Sequence, residues 1–509
     1  MIPNARLILG PPGCGKTTTL IRIVEEKLAE GVHPSRIGIV SFTTKAVREF
    51  LSRACAKFNL TPKDFPHCRT LHATGYHALG LQTTDVMGSA DYRKVGDMLG
   101  LVMEGQERAY GEDGIAVPTV LGSGSKYLSL IMLSTYRQSS LEWEYNYAGN
   151  YNIHFSKLVQ VKAQLQEYKS KYNKYDFADM IYRYVQISEP PYLDLLIVDE
   201  AQDLTPLQWR MVEKMAERAT EVVIAGDDDQ AIHRWAAADV GEFMRCASHV
   251  EVLSQSYRLP RAVWELARRI SKRIPDRMEK EFLPRDEEGE VHRVWRLEQM
   301  PIQRGSWTIM ARTNAFVDDF ANVLRKHGFF YSRNGRWSID QTSLEVMATW
   351  RDLIDGQALN IGRIKTFYEN VPKMGKNPVV KRGATKLLDA ADPEQGLTYE
   401  DLVARFGLLA PRDADPMDVA RLSEYDKVYV RAIQRRGEDI YKEPRIKIST
   451  IHAMKGGEDD NVAVYTGSTK ACVEGKHPED EHRVFYVAVT RARNALFIIE
   501  SDKKYRYYL

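Results

Sequence analysis

The stretch Gly10-Pro11-Pro12-Gly13-Cys14-Gly15-Lys16-Thr17 constrains this chain more than any other. It follows the apolar run Leu7-Ile8-Leu9 and precedes a helical pattern from Thr18 to about Ala29. Strand, glycine-rich loop and helix in that order make a phosphate-binding loop. Such a loop wraps backbone N–H groups around an anion. Gly13 and Gly15 permit the backbone angles this needs, and the helix N-terminus adds the positive end of its dipole. Pro11 and Pro12 carry no N–H, so the donors come from Gly13 onward, through Thr17 and Thr18. Lys16 is expected to reach the β- and γ-phosphates, and the Thr17 hydroxyl to ligate Mg²⁺.

At 509 residues the chain exceeds one hydrophobic core, and two to four domains are expected. No apolar run is long enough to span a bilayer, and the first residues lead straight into the loop's strand rather than a signal peptide. The five cysteines (Cys14, Cys55, Cys68, Cys246 and Cys472) are scattered without a CxxC pair. That argues against a disulfide framework or zinc site and for a reducing, cytoplasmic compartment. A net charge of +2 leaves the partner open, because a groove can be basic in a neutral protein.

A carboxylate for the metal is expected on a neighbouring strand. Asp194-Leu195-Leu196-Ile197-Val198 ends in Asp199-Glu200-Ala201-Gln202-Asp203, a buried parallel strand delivering acids at its carboxyl edge. Asp199 would hold Mg²⁺ and Glu200 would orient the attacking water. Val222–Ala225 ends in Gly226-Asp227-Asp228-Asp229-Gln230, and Ile37–Val40 ends in Ser41-Phe42-Thr43-Thr44. These strands build one parallel sheet.

Taken in order, these segments resemble the motifs of superfamily 1 helicases of the UvrD/Rep/PcrA type. Gly10–Thr17 is similar to motif I, Ser41–Ala46 to motif Ia and Arg69-Thr70-Leu71-His72 to motif Ib. Tyr175–Asp179 resembles the segment preceding motif II, Asp199–Asp203 motif II itself, and Gly226–Trp235 motif III. Gln255-Ser256-Tyr257-Arg258 resembles motif IV, Ala311–Asn314 motif IVa, Ser449–Glu458 motif V and Tyr486–Ala492 motif VI. The resemblance implies a DNA helicase that hydrolyses ATP with Mg²⁺ and moves 3′ to 5′ on single-stranded DNA, meeting single-strand/duplex junctions and working as a monomer. It implies that Gln230 senses the γ-phosphate from the first core and that Arg258 and Arg491 reach it from the second as arginine fingers. Tyr257 would stack on the adenine and Glu458 bond the ribose. On the opposite side, Phe42, His233 and Trp235 would stack bases without reading sequence. Thr70, His72, Arg312, Asn314, Thr450 and His452 would meet phosphates and sugars. A translocase or DNA-end sensor that does not separate strands, and an RNA remodeller, stay open as alternatives.

The expected fold is α/β: two tandem RecA-like domains of parallel sheets flanked by helices, each interrupted by a mainly helical insertion. The first core spans 1–75 and 170–250, its insertion 76–169, the second core 251–340 and 444–509, and its insertion 341–443. The first insertion carries the aromatics Trp143, Tyr145, Tyr147 and Tyr151, for which packing is the expected role. The second carries Lys373, Lys376, Lys381, Arg382 and Lys386, a solvated face or a duplex-contacting patch. Three features depart from the family pattern. The adenine-reading Gln is absent upstream of the strand, leaving NTP selectivity open; Gly456-Gly457 stands where Gly-Leu is usual; and Cys14 inside the loop predicts inactivation by a thiol reagent.

Overall fold

The computed structural model describes residues 2–105, 120–149, 152–392 and 395–509. The N-terminal part supplies β1 (Ala5–Leu9), β2 (Ile37–Ser41) and β3 (Cys68–Thr70). A short hairpin, β4 (Glu104–Gly105) and β5 (Val120–Leu121), lies in the first insertion. The chain then returns through β6 (Leu193–Asp199), β7 (Ala219–Gly226) and β8 (His249–Val252). The six-stranded sheet runs β3-β2-β6-β7-β1-β8 and is parallel throughout. Its central strands are apolar because helices cover both faces, as parallel sheets require. The loops after β1, β6 and β7 therefore open together at one carboxyl edge.

A second sheet is built from β9 (Glu290–Val294), β10 (Trp307–Ala311), β11 (Tyr331–Arg333), β12 (Arg336–Trp337), β13 (Ile446–Thr450), β14 (Asp459–Tyr465) and β15 (Ala492–Ile499). Its order is β12-β11-β13-β10-β14-β15-β9, parallel except for the β11–β12 hairpin. The two-sheet α/β architecture expected from the sequence is thus present, and the apolar runs ending at Leu9, Val40, Val198 and Ala225 fall within β1, β2, β6 and β7.

The two insertions pack differently. Helices Ser89–Leu99, Ser125–Arg137 and Phe155–Tyr172 bury Val95, Leu128, Ile131, Leu158 and Leu165 in a core of their own. Within that insertion Tyr145 bonds the Ile153 carbonyl and packs inward, whereas Trp143 and Tyr147 stack on one another at 4.6 Å. Tyr151 lies outside the described residues. Helices Gln341–Ile354, Ile361–Asn370 and Glu424–Arg435 instead share one continuous core with the second sheet, Trp350, Phe367 and Ile433 packing with Phe330, Ile446 and Ile448. The basic residues Lys376, Lys381, Arg382 and Lys386 are exposed on that insertion.

Candidate active site between the two sheets

The loop after β1 turns through Gly13 and Gly15, both at φ 75°. The segment entering the second sheet closes over it. Tyr257 N–H donates to the Gly13 carbonyl at 2.9 Å, and the Ser256 hydroxyl donates to the Pro12 carbonyl at 2.7 Å. A Cβ on Gly13 would collide with Arg258, so this close approach requires glycine as much as the positive φ does. The Tyr257 ring stands beside Gly15 and is 72% exposed, a free aromatic face over the loop. The Thr18 hydroxyl accepts from Arg53 at 2.8 Å.

Lys16 bonds Glu200 and lies 3.4 Å from Asp199. Burial works against its charge, but Glu200, Asp199 and Asp227 prevail and hold the ammonium above its ordinary pKa. Burial likewise opposes the Glu200 carboxylate. The charges of Lys16 and Lys455, with hydrogen bonds from Lys16 and Gln202, outweigh it and bring the carboxyl to about 2. At Asp199 burial wins over Lys16, helped by the Glu200 charge, and the carboxyl is pushed up. Glu200 also sits at φ 54°, a left-handed strain of the kind that clusters at functional sites.

From the other side comes Arg491, 2% exposed at the junction of helix Asp480–Val489 and β15. Its guanidinium donates to Val487 O at 2.9 Å, Gly457 O at 3.2 Å and Gln230 Oε1 at 2.8 Å, and to the Thr490 hydroxyl. These partners are all neutral oxygens. Burial and the nearby Arg258 charge push the Arg491 pKa down to about 9, as expected of a buried cation short of an anion. Arg258 donates to Glu458 at 2.6 Å and reaches Thr490 O at 3.4 Å. Lys16, Arg258 and Arg491 therefore converge from three chain segments on one space. Cys14 corrects an expectation: its thiol is buried, and burial with the Asp227 charge raises it to about 12. A thiol reagent meets neither an open sulfur nor a thiolate there.

On the opposite face the residues expected to touch a strand separate into layers. Trp235, on the turn Arg234–Ala236, is 54% exposed. Phe42 and His233 correct the reading of open stacking platforms, because both are buried beneath it. The His233 ring packs against Phe42 at 5.6 Å, His452 at 6.2 Å and Trp235 at 6.3 Å, and burial keeps it neutral. His72 is also interior, bonded to the Tyr136 hydroxyl at 3.1 Å and pushed by burial down to about 4. The Thr70 and Thr450 hydroxyls are engaged locally, accepting from Ala73 N and Ala453 N. Arg312 pairs with buried Glu481 at 2.7 Å; Asn314 is exposed; His452 is half-buried and pushed by burial down to about 3.

Two family descriptions match this chain: the UvrD/REP helicase N-terminal domain over residues 2–251, and the UvrD-like helicase C-terminal domain over residues 429–503. The chain belongs to the UvrD/REP helicase family. Among similar proteins, the ATP-dependent DNA helicase PcrA of Bacillus subtilis is 25% identical across 98% of this chain and 81% of its own length. A probable DNA helicase II homolog of Rickettsia felis is 22% identical across 99% and 91%. The ATP-dependent DNA helicase Rep of Buchnera aphidicola matches at 24% over 47% of this chain and 35% of its own.

In this UvrD/REP-family protein three groups have no role in the sequence reading: Lys455 and Lys280 tie the two sheets' edges together, and Gln202 ties the loops after β6 and β7 of the first sheet. Lys455 bonds Asp203 and donates to Gln230 O at 2.6 Å. Gln202 donates to Glu200 at 2.7 Å and accepts from Asp227 N at 3.2 Å. Both lie inside motif segments, so their neighbours were the available signal. Lys280 carried none. It is fully buried among Asp227, Asp228 and Asp229, with Arg277 gripping Asp229 at 2.6 and 2.9 Å and Arg483 on Asp228 O at 3.0 Å.

Proposed function

We propose that the chain is an ATP-dependent DNA helicase, and the observation that carries this is the convergence of Arg491 and Arg258 with Lys16, Asp199, Glu200 and Gln230 between the two sheets. ATP on the loop would draw Lys16 from its carboxylates to the β- and γ-phosphates, while Tyr257 offers a face to the adenine and Glu458 its carboxylate to the ribose. Arg258 and Arg491 would spread positive charge over the equatorial oxygens of the γ-phosphoryl group, a contribution of about 10³–10⁵ in rate for arginine fingers. Glu200, which keeps the Lys455 charge and the Gln202 hydrogen bond when Lys16 moves to the phosphates, would orient the water. The Asp199–Glu200 pair already crowds two acids against one cation, and Thr17 and Asp199 are hard oxygen donors suited to Mg²⁺. That ion would offset the phosphate charge.

Because the fingers belong to the second sheet, hydrolysis depends on the approach of the two cores and so couples to motion. We read those cores as 1–75 with 170–250 and as 251–340 with 444–509. The insertions would be 76–169 and 341–443. The track is single-stranded DNA running over Trp235, with Asn314 and Arg312 beside it. Movement is 3′ to 5′, by a monomer.

The test is ATPase activity with and without single-stranded DNA or RNA, followed by unwinding of 3′- and 5′-tailed duplexes, each beside Lys16→Ala. DNA-stimulated ATPase with unwinding from a 3′ tail supports the reading. ATPase without unwinding would make the protein a translocase or end sensor; preference for RNA would make it a remodeller.

A further inference from the structure

Beyond Trp235 the chain lines a cavity of about 430 Å³ between the first core and its insertion, within the roughly 300–1,000 Å³ typical of small-ligand pockets. One wall is Trp143 with Arg137, Ser139 and Ser140; the other is Pro206 and Ala237–Asp239. Ala237 follows Trp235 by two residues and adopts φ 73°, so the turn that presents Trp235 also forms the cavity's rim. The side chains of Ala237 and Ala238 keep that wall low.

Trp143 is 47% exposed, although it is a large aromatic. The ring of Tyr147 stacks parallel on it at 4.6 Å and 11°, backed in turn by Lys476 at 4.3 Å. This fixes the indole plane while leaving Trp143 to line the cavity. Arg137 is held by Glu144 at 2.7 Å and reaches Arg234 O at 3.4 Å, which locks the insertion to the Trp235 turn. Asp239 places a carboxylate in the cavity and takes Gly241 N at 2.9 Å. An acid disfavours a phosphate but not an uncharged ring. The Ser140 hydroxyl accepts from Trp143 N at 3.1 Å, and its own proton remains to donate.

We propose that this cavity is a second stacking site, taking one unpaired nucleobase of the strand that has crossed Trp235 onto the fixed face of Trp143. The site rests on the reading of the Trp235 face as a single-strand track. The base leaves its phosphates outside, away from the Asp239 carboxylate, and inserts between the indole and the alanine wall.

The experiment uses the full chain, fluorescein-labelled oligothymidine and a hairpin duplex, with Trp143→Ala, Trp143→Phe and Trp235→Ala. Base stacking is worth about 1–3 kcal/mol, so Trp143→Ala should weaken oligothymidine binding by about tenfold and spare the hairpin, and Trp143→Phe should recover most of the loss. A single 2-aminopurine moved along the oligonucleotide should be quenched at one position beyond the Trp235 contact, and that quenching should vanish in Trp143→Ala. Thermal melting checks that each variant folds. If Trp235→Ala weakens binding while Trp143→Ala does not, the cavity proposal is overturned and the track stands. If neither does, both fall. Equal loss on the hairpin would make Trp143 a general surface contact and overturn the base site.

Discussion

Arg491 donates to the side-chain oxygen of Gln230 across 2.8 Å, although 261 residues separate them in the chain. Gln230 ends the turn after β7 of the first sheet, and Arg491 precedes β15 of the second. The contact therefore exists only when the two sheets' edges face each other.

Arg491→Ala should lower DNA-stimulated ATPase by about 10³-fold or more, while a fluorescent ADP analogue binds nearly as before. Its present partners are neutral oxygens, so truncation strands no buried carboxylate. Steady-state ATPase and equilibrium titration check this; a loss below about tenfold would remove Arg491 from the transition state.

Lys16→Met should lower stability at neutral pH by an amount that shrinks on acidification. The Glu200 carboxyl stands at about 2 in the fold against an ordinary 4.5. Its contribution is thus fully present above pH 4.5 and lost as pH falls toward 2. The mutant has lost that contribution already. Melting curves of both proteins at pH 7 and pH 4 give the gap, and a gap that widens at pH 4 refutes the assignment.

Lys280→Met should cost about 3–5 kcal/mol, the penalty for stranding buried charges. The side chain is fully buried among Asp227, Asp228 and Asp229, and its loss leaves Arg277 on Asp229 and Arg483 at the Asp228 carbonyl to offset three acids. Urea unfolding measures it, and a cost under about 1 kcal/mol would place water or a counterion in the cluster.

Gly457→Leu, which restores the usual residue of motif V, should change stability by less than about 1 kcal/mol. A Cβ there overlaps the Met454 methyl, the free end of a flexible, half-buried side chain that can swing aside. The same urea unfolding measures it, and a loss above about 2 kcal/mol would show that Met454 is held in place.

N-ethylmaleimide should modify half-buried Cys55 and Cys472 before Cys14, and ATPase should survive until Cys14 reacts. Burial and the raised thiol pKa both slow that step. Peptide mass spectrometry against time, with activity measured alongside, decides it.

The nucleotide loop was legible because its chemistry is local. Gly13, Gly15 and Lys16 lie within four residues of one another, and the strand and helix flanking them show their own periodicity. Asp199 and Glu200 were legible for the same reason, ending an apolar run that parallel pairing buries. The strand-facing residues were less so. Phe42 and His233 have the residue types of stacking platforms, but packing of one motif beneath another put them inside.

By itself the sequence determined two parallel sheets, a phosphate loop and the identity of the charged groups, since each follows from side-chain period, backbone freedom and residue chemistry within a short window. Tertiary structure alone decided that Lys280 would sit among three aspartates, that Lys455 would link Asp203 to Gln230, and that Trp143 would stand across a cavity from the Trp235 turn. Those relationships depend on how distant elements dock, and burial and pairing energies that act between them leave no periodic trace along the chain.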